Sequence, residues 1–393
     1  MYHSRSIFKQ GILFFAFLTF SFLSFHLIAQ DGGDINIGQK LTIESKILGQ
    51  EREILISKPL NTFNAGKNIP VLYLLDGSAH FLYTTGIVSY LSAQQNIPPL
   101  IVVGIKNIDR NKDFTPNETQ GIPAGGGAEK FHAFIEKELI PFVAKRYYTN
   151  DFRILMGHSL GGTFLTYSML NRPEVFDAYI SVSPYLQYNK GAIVKMAKTR
   201  FEMGYEEAGS LYMTLGDEPG YTEFHQNFLT LLDEAKTDDF QYKYVVMGDE
   251  NHGTTPLLSI YRGLGYIFED WKIPQKVLNQ GVNAMDDYNE ELSKKYKMDI
   301  QSDEASINLL GYAFLRDGKL NMAIKTQEEN ARRFPESPNV YDSLGDAYKV
   351  AGDLKNAEKN YAKAVKLAED LGEHPFLSTF KKNLENVRMQ IHK

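Results

Sequence analysis

Six consecutive residues, Gly157-His158-Ser159-Leu160-Gly161-Gly162, carry the sharpest chemical signal in the sequence. They follow the strand-like run FRILM (152–156) and precede the helix-like run TFLTYSML (163–170). A serine on a sharp strand-to-helix turn crowds its backbone neighbours, so the positions two before and two after it need glycine. The turn lifts the hydroxyl off the sheet and aims the N-terminus of the following helix at the reaction centre. The N–H of Leu160 is then free to bind an oxyanion. The chemistry this predicts is acyl transfer with Ser159 as nucleophile.

A serine hydroxyl is a poor nucleophile without a base. Of the nine histidines, His3 and His26 lie in the leader and His392 is the penultimate residue. His158 adjoins the nucleophile, where packing is the expected role. His80, His132 and His225 fall in loop or helix contexts, and His374 lies beyond the repeats described below. His252 stands apart, because it follows the last strand-like run in GDENHGTTP (248–256), where such a fold puts its base. The third member should be a carboxylate after the preceding strand. SLYMTLG (210–216) ends in Gly216 and is followed by Asp217 and Glu218, which the residues alone do not rank. One of the two would hold the imidazole in its working tautomer, and the other would be solvated.

A second oxyanion donor is expected after the third strand. There Leu74-Leu75-Asp76-Gly77-Ser78 lets the chain bend at Gly77 and turn the N–H of Ser78 inward. Asp109, Arg110, Thr115 and Tyr185 fall on loops at the same edge and are candidates for lining a substrate pocket. Asn117-Glu118-Thr119 fits a glycosylation acceptor, a pattern too short to carry weight. Gly125-Gly126-Gly127 lacks the Lys-Ser/Thr of a phosphate loop and reads as a flexible hinge. The histidines show no metal-ligand spacing, so neither a metal nor a cofactor is expected.

These residues need a scaffold, and the chain supplies its signature. Residues 41–47 and 51–57 are partly alternating runs that read as an opening hairpin. Near-continuous apolar strands follow at 71–76, 100–105, 152–157, 178–183, 210–216 and 242–248, with helical stretches or long loops between them. That pattern predicts an α/β fold with a mostly parallel sheet covered on both faces, in the layout of an α/β-hydrolase. The chemistry of such sheets sits at the carboxyl ends of the strands, and each residue singled out above lies just past one.

After Trp271 the pattern breaks. The runs 308–324 and 342–358 match at Leu310/Leu344, Gly311/Gly345, Ala313/Ala347, Gly318/Gly352, Leu320/Leu354 and Ala323/Ala357. The offset, 345 − 311 = 34 residues, is the period of tetratricopeptide repeats, with small residues where paired helices approach closely. The expected division is a signal peptide at 1–29, a catalytic domain at 38–272 and a linker with a helix at 273–303. Two all-α repeats at 304–371 and a capping helix at 372–393 complete it.

At 393 residues the chain is too long for one ordinary core. Its net charge of −6, with no basic stripe, argues against nucleic acid or an anionic membrane surface as the main partner. Arg5 and Lys9 precede an almost wholly apolar stretch that ends at Ala29, which reads as a secretory signal peptide and a periplasmic or secreted location. An uncleaved anchor is the alternative. With no cysteine, a lipid-modified cysteine and disulfides are both excluded.

Taken together, LLDGSAHF, NIDRNKDFTP, GHSLGGTF, the GDE after a strand, and ENHGTTPLLSIYRGL resemble the esterase D-type family over about 40–270. That group of α/β-hydrolases includes enterobactin, feruloyl and acetyl-xylan esterases and mycolyltransferases. With repeats behind the hydrolase, the whole layout is similar to exported esterases of Bacteroidetes-type bacteria. The resemblance implies Ser159 and His252 as nucleophile and base, Glu218 as the acid, and the N–H groups of Ser78 and Leu160 as the oxyanion hole. It implies a small-molecule or glycan-linked ester as substrate, with no cofactor. An acyltransferase using the same residues, or a non-catalytic protein acting through its repeats on a protein partner, are the rival readings.

Overall fold

The computed structural model describes residues 36–59, 68–119, 125–204, 209–235, 237 and 239–392. The leader at 1–29 lies outside them. Among the described residues, no helix is long and apolar enough to cross a membrane.

The centre is an eight-stranded sheet: β1 (Gln39–Ser45), β2 (Gln50–Ser57), β3 (Ile69–Leu74), β4 (Ile101–Ile105), β5 (Thr149–His158), β6 (Ala178–Val182), β7 (Gly209–Leu215) and β8 (Phe240–Val246). Its spatial order is β1-β2-β4-β3-β5-β6-β7-β8. β2 pairs antiparallel with β1 and β4, and every other pair is parallel. The sequence signal differs accordingly. β3, β4 and β6 are buried along their whole length and read as unbroken apolar runs, whereas the edge strand β8 alternates. This is the sheet of an α/β-hydrolase.

Helices cover both faces. On one lie α1 (Gly77–Ala93) and α8 (Thr255–Ile267). The other carries α2 (Arg110–Phe114), α3 (Ala128–Phe134), α4 (Ile140–Tyr147), α5 (Leu160–Asn171), α6 (Tyr188–Glu202) and α7 (Thr222–Glu234). Between α3 and α4 the helix widens to a π-turn over Ile135–Leu139. From it Glu138 accepts hydrogen bonds from Ser45 Oγ, Lys46 N (2.9 Å) and Ile47 N (3.2 Å), which tie down the opening hairpin.

Register decides where the chemistry sits. Leu74 lies beside Met156, His158 beside Val182, and Leu215 beside Val246. The loops carrying Ser78, Ser159, Glu218 and His252 therefore leave one edge of the sheet. The chain passes from β3 outward to β4, then returns to the other side of β3 with β5. That reversal opens a crevice at the carboxyl ends of β3 and β5, where ligands of such sheets bind.

Beyond the sheet come α9 (Gln275–Leu278), α10 (Val282–Tyr296), α11 (Glu304–Arg316), α12 (Leu320–Arg333), α13 (Pro338–Val350), α14 (Leu354–Asp370) and α15 (Leu377–Ile391). α10 is the joint. Its Leu292 and Tyr296 pack in the same cluster as Phe152 and Phe268, and Asn150 donates to the carbonyls of Tyr296 (2.9 Å) and Lys297 (3.1 Å). At its other end Val282 and Met285 pack with Ile307, Leu310 and Phe314 of α11. The helix pairs α11/α12 and α13/α14 fit the 34-residue repeat. A Cβ on Gly311 would lie 2.4 Å from the Gln327 side chain, and one on Gly345 2.7 Å from the Tyr361 ring, at the same position of the second helix in each pair.

One expectation changes. The glycines at 125–127 form a tied turn rather than a hinge: Gly126 N donates to Thr115 O (3.1 Å) and Gly127 N to Lys112 O (2.8 Å).

Asp342 of α13 is buried, and burial pushes its carboxyl up to about 6, with Asp346 adding to the rise and the Asn383 amide opposing it. The folded state thus holds this proton more tightly than the unfolded chain does. The stabilisation is complete below about pH 4 and is lost as pH rises through about 6. Asp342→Asn should match the wild type in urea unfolding near pH 4. At pH 7 it should be the more stable by roughly 1–3 kcal/mol. Equal stability at both pH values would remove the buried carboxylate as a source of strain in the helical segment.

Candidate active site

The turn that carries Ser159 is built from close approaches. Ser159 has φ 58° and ψ −119°, in the left-handed half of conformational space that a residue with a Cβ rarely occupies. A Cβ on Gly157 would fall 2.3 Å from Gly161 O, and one on Gly162 2.7 Å from Pro184 Cβ, so neither position admits a side chain. Ser159 N donates to Val182 O (2.9 Å), and Ser159 O accepts from Thr163 N (3.1 Å) and Tyr185 N (3.0 Å). α5 begins at Leu160, whose N–H is therefore a first-turn donor without an intrahelical acceptor. Ser78 stands likewise in the first turn of α1, behind Asp76 in the left-handed region (φ 53°). Two helix N-termini thus meet the crevice, each a source of partial positive charge.

After β7, Asp217 and Glu218 part company. Asp217 is exposed, and its backbone N–H is held by Glu250 O at 2.7 Å. The Glu218 side chain is 8 % exposed; its Oε1 lies 2.5 Å from His252 Nδ1 and its Oε2 accepts from Gly216 N at 3.2 Å. His252 sits in a loop organised by Asn251, whose Oδ1 accepts from Gly253 N (2.9 Å) and Thr254 N (3.2 Å) and whose carbonyl accepts from Thr255 Oγ1 (2.6 Å). With Nδ1 engaged by the carboxylate, Nε2 is left for a reacting proton. Among the described residues no hydrogen bond joins Ser159 Oγ to His252, a contact that in unliganded sites often forms only with substrate.

Several contacts around the candidate site had no signature in the sequence. Asp76 is buried and accepts from Asn107 Nδ2 and from Arg110 Nε (2.8 Å) and Nη2 (3.3 Å). Arg110 Nη2 also donates to His158 O at 3.1 Å. This one guanidinium thereby couples the turn after β3, the loop after β4 and the turn that carries Ser159. His158 packs as expected, with its ring 4.5 Å from that of His252 and 5.6 Å from that of His80. Burial and the neighbouring His252 and His80 push it down to about 3, so it stays neutral beside the base. Tyr221, 5.7 Å from His252, and Tyr185 beyond it form an aromatic wall.

Of the other expected pocket residues, Thr115 is fully buried. Its hydroxyl donates to Asn111 O and accepts from Gly126 N, so it holds a loop and lines no pocket. Asp109 caps α2 through Lys112 N (3.0 Å). His80, His132 and His225 are buried helix residues, the last two hydrogen-bonded to Ser168 Oγ and Pro184 O. No group of three or more acidic, histidine or cysteine side chains able to hold a metal occurs among the described residues.

Comparison with known proteins finds relatives for part of the chain. Residues 45–230 match the family model described as "Putative esterase", a stretch that holds Ser78, Ser159 and Glu218 and ends before His252. The chain is 34% identical over 163 residues to the ferri-bacillibactin esterase BesA of Bacillus subtilis, covering 36% of this chain and 56% of that protein. It is 31% identical over 164 residues to the siderophore triacetylfusarinine C esterase of Aspergillus fumigatus, covering 38% and 56%. The chain thus spans about half the length of these curated relatives. Among solved structures, an IroE-like serine hydrolase from Shewanella oneidensis superimposes with a TM-score of 0.64 at 23% identity, over 76% of this chain and 99% of that one. The esterase family model thus matches residues 45–230, a little under half of this chain, and the chain is similar to that family there.

Proposed function

We propose that this chain is an exported serine hydrolase that cleaves carboxylic esters with Ser159 as nucleophile, His252 as base and Glu218 as acid. The observation that carries the reading is the Glu218–His252 contact at 2.5 Å, made at the sheet edge where Ser159 stands on its left-handed turn. His252 Nε2 takes the Ser159 proton as Oγ attacks the ester carbonyl. Glu218 holds the proton on Nδ1 and stabilises the imidazolium. The N–H groups of Leu160 and Ser78 receive the oxyanion, helped by the two helix N-termini. His252 then protonates the departing alcohol, and water repeats the cycle to release the acid.

The substrate class follows from the relatives. Proteins similar to this chain are named for siderophore esters, which makes a siderophore ester the first to try, ahead of polysaccharide-linked acyl esters and lipid esters. The basic and apolar N-terminal stretch supports export to the periplasm or beyond. The helical segment from 304 to 371 reads as two tetratricopeptide-like repeats behind the catalytic domain, a surface suited to a protein partner.

Ser159→Ala should abolish labelling by a fluorophosphonate probe and lower ester hydrolysis at least about 10³-fold while leaving the fold intact. A variant that keeps half its rate would remove Ser159 from the mechanism. Glu218→Gln should lower kcat by about 10²–10⁴-fold, and Asp217→Asn should change it only a few-fold. The opposite order, read from steady-state rates on one ester, would transfer the acid role to Asp217.

A further inference from the structure

The two N–H groups assigned to the oxyanion come from different helices, that of Ser78 from the first turn of α1 and that of Leu160 from the first turn of α5. Both must lie about 3 Å from one point to hold the charge, so the separation of the two turns has to be fixed. Sheet pairing fixes it in part: Leu74 lies beside Met156, and Leu75 N donates to Met156 O at 3.0 Å. Beyond that point both chains leave the sheet at positive φ, 53° at Asp76 and 58° at Ser159. One side chain bridges the gap that follows. Arg110 donates through Nε (2.8 Å) and Nη2 (3.3 Å) to the Asp76 carboxylate, and through Nη2 to the carbonyl of His158 (3.1 Å). Its two anchors occupy matching places, because Asp76 stands two residues before Ser78 and His158 two residues before Leu160. Among the described residues no other side chain hydrogen-bonds to both turns. A Cβ on Gly161 would lie 3.1 Å from Asp76 Oδ2, so the carboxylate rests against the first turn of α5.

The guanidinium is itself held. Arg110 begins α2, which follows β4, the strand on the far side of β3 from β5. α2 has only five residues, and three contacts pin it. Asp113 pairs with Arg52 of β2 at 2.7 Å, with both side chains at most 5% exposed. Thr115 Oγ1 donates to Asn111 O (2.7 Å), and Lys112 O accepts from Gly127 N (2.8 Å). The Arg110 side chain lies over the Phe114 ring at 5.6 Å, which limits its sideways movement. A planar, forked guanidinium meets a carboxylate and a carbonyl at once, whereas the single ammonium of a lysine does not.

We propose that Arg110 is a positioning residue that clamps the turn after β3 to the turn after β5 and so holds the N–H groups of Ser78 and Leu160 at their working separation. The catalytic half of this statement rests on the esterase reading, whereas the coupling of the two turns stands without it.

Arg110→Lys and Arg110→Gln are compared with the wild type in the full chain on p-nitrophenyl acetate, an ester with no anionic group for an arginine to bind. Rates are divided by the amount of serine titrated in an exhaustive fluorophosphonate reaction. Both variants should lower kcat and kcat/KM together, at least about tenfold, and keep KM within about threefold. In Arg110→Gln, hydrogen exchange should quicken at both turns. The reporting amides are those of Ala79 and His80, bonded to Asp76 O, and those of Ser159 and Thr163, bonded to Val182 O and Ser159 O. An unchanged rate, a rise in KM with kcat kept, or faster exchange at one turn alone overturns the proposal. So does a loss that vanishes once rates are divided by titrated serine, which would leave Arg110 a purely structural group. If an unpaired Asp76 keeps Arg110→Gln from folding, Asp76→Asn/Arg110→Gln removes the buried charge and should show the same loss. Wild-type rates in that double variant overturn the proposal. A wild type inert to esters and to the fluorophosphonate would sink the esterase reading alone, because exchange still reports whether Arg110 couples the turns.

Discussion

The arrangement rests on one backbone conformation, the left-handed turn at Ser159. A serine held at positive φ costs on the order of 1–3 kcal/mol and persists only where its surroundings over-determine it. Here they do. The strand pairing of His158 with Val182, the bond from Ser159 N to Val182 O, and the close contacts at Gly157 and Gly162 leave the chain no other route from β5 into α5. The conformation raises the hydroxyl above the sheet and exposes the N–H of Leu160 in the same movement.

Around that turn the protein concentrates fixed polarity. Asp76 would be costly to bury alone, and Arg110 and Asn107 offset that cost while tying three loops together. Glu218 is nearly buried and gives one oxygen to His252 and the other to the backbone of Gly216, so the imidazole is aimed by a group that is itself held. His158, kept neutral by burial, fills the space between His80 and His252 without competing for the proton. Preorganised dipoles of this kind need no rearrangement when charge develops.

The helical segment joins the sheet through a shared core and not by a loose tether. Tyr296 is fully buried among Phe152, Phe268 and Trp271, and its hydroxyl donates to Ile267 O at 2.9 Å. Arg333 of α12 reaches back to Asp286 of α10, linking the first helix pair to the joint.

Much of this was legible in the amino acids. Apolar runs marked the strands to within two or three residues, unbroken in β3, β4 and β6, where burial on both faces leaves few polar positions to blur them, and partly alternating in the opening hairpin. The glycines around Ser159 marked the turn, because steric exclusion acts between near neighbours in the chain. The 34-residue spacing of Gly311 and Gly345 marked the helix pairs for the same local reason. Choosing between Asp217 and Glu218 was different, since adjacent carboxylates are equivalent until the fold turns one toward His252 and the other to solvent. The Asp76–Arg110 pair, the tied turn at Gly126 and the burial of Thr115 join residues far apart in the chain or hidden by it. Local sterics and periodicity are written in sequence; which distant groups meet, and which faces remain uncovered, was decided by the tertiary structure.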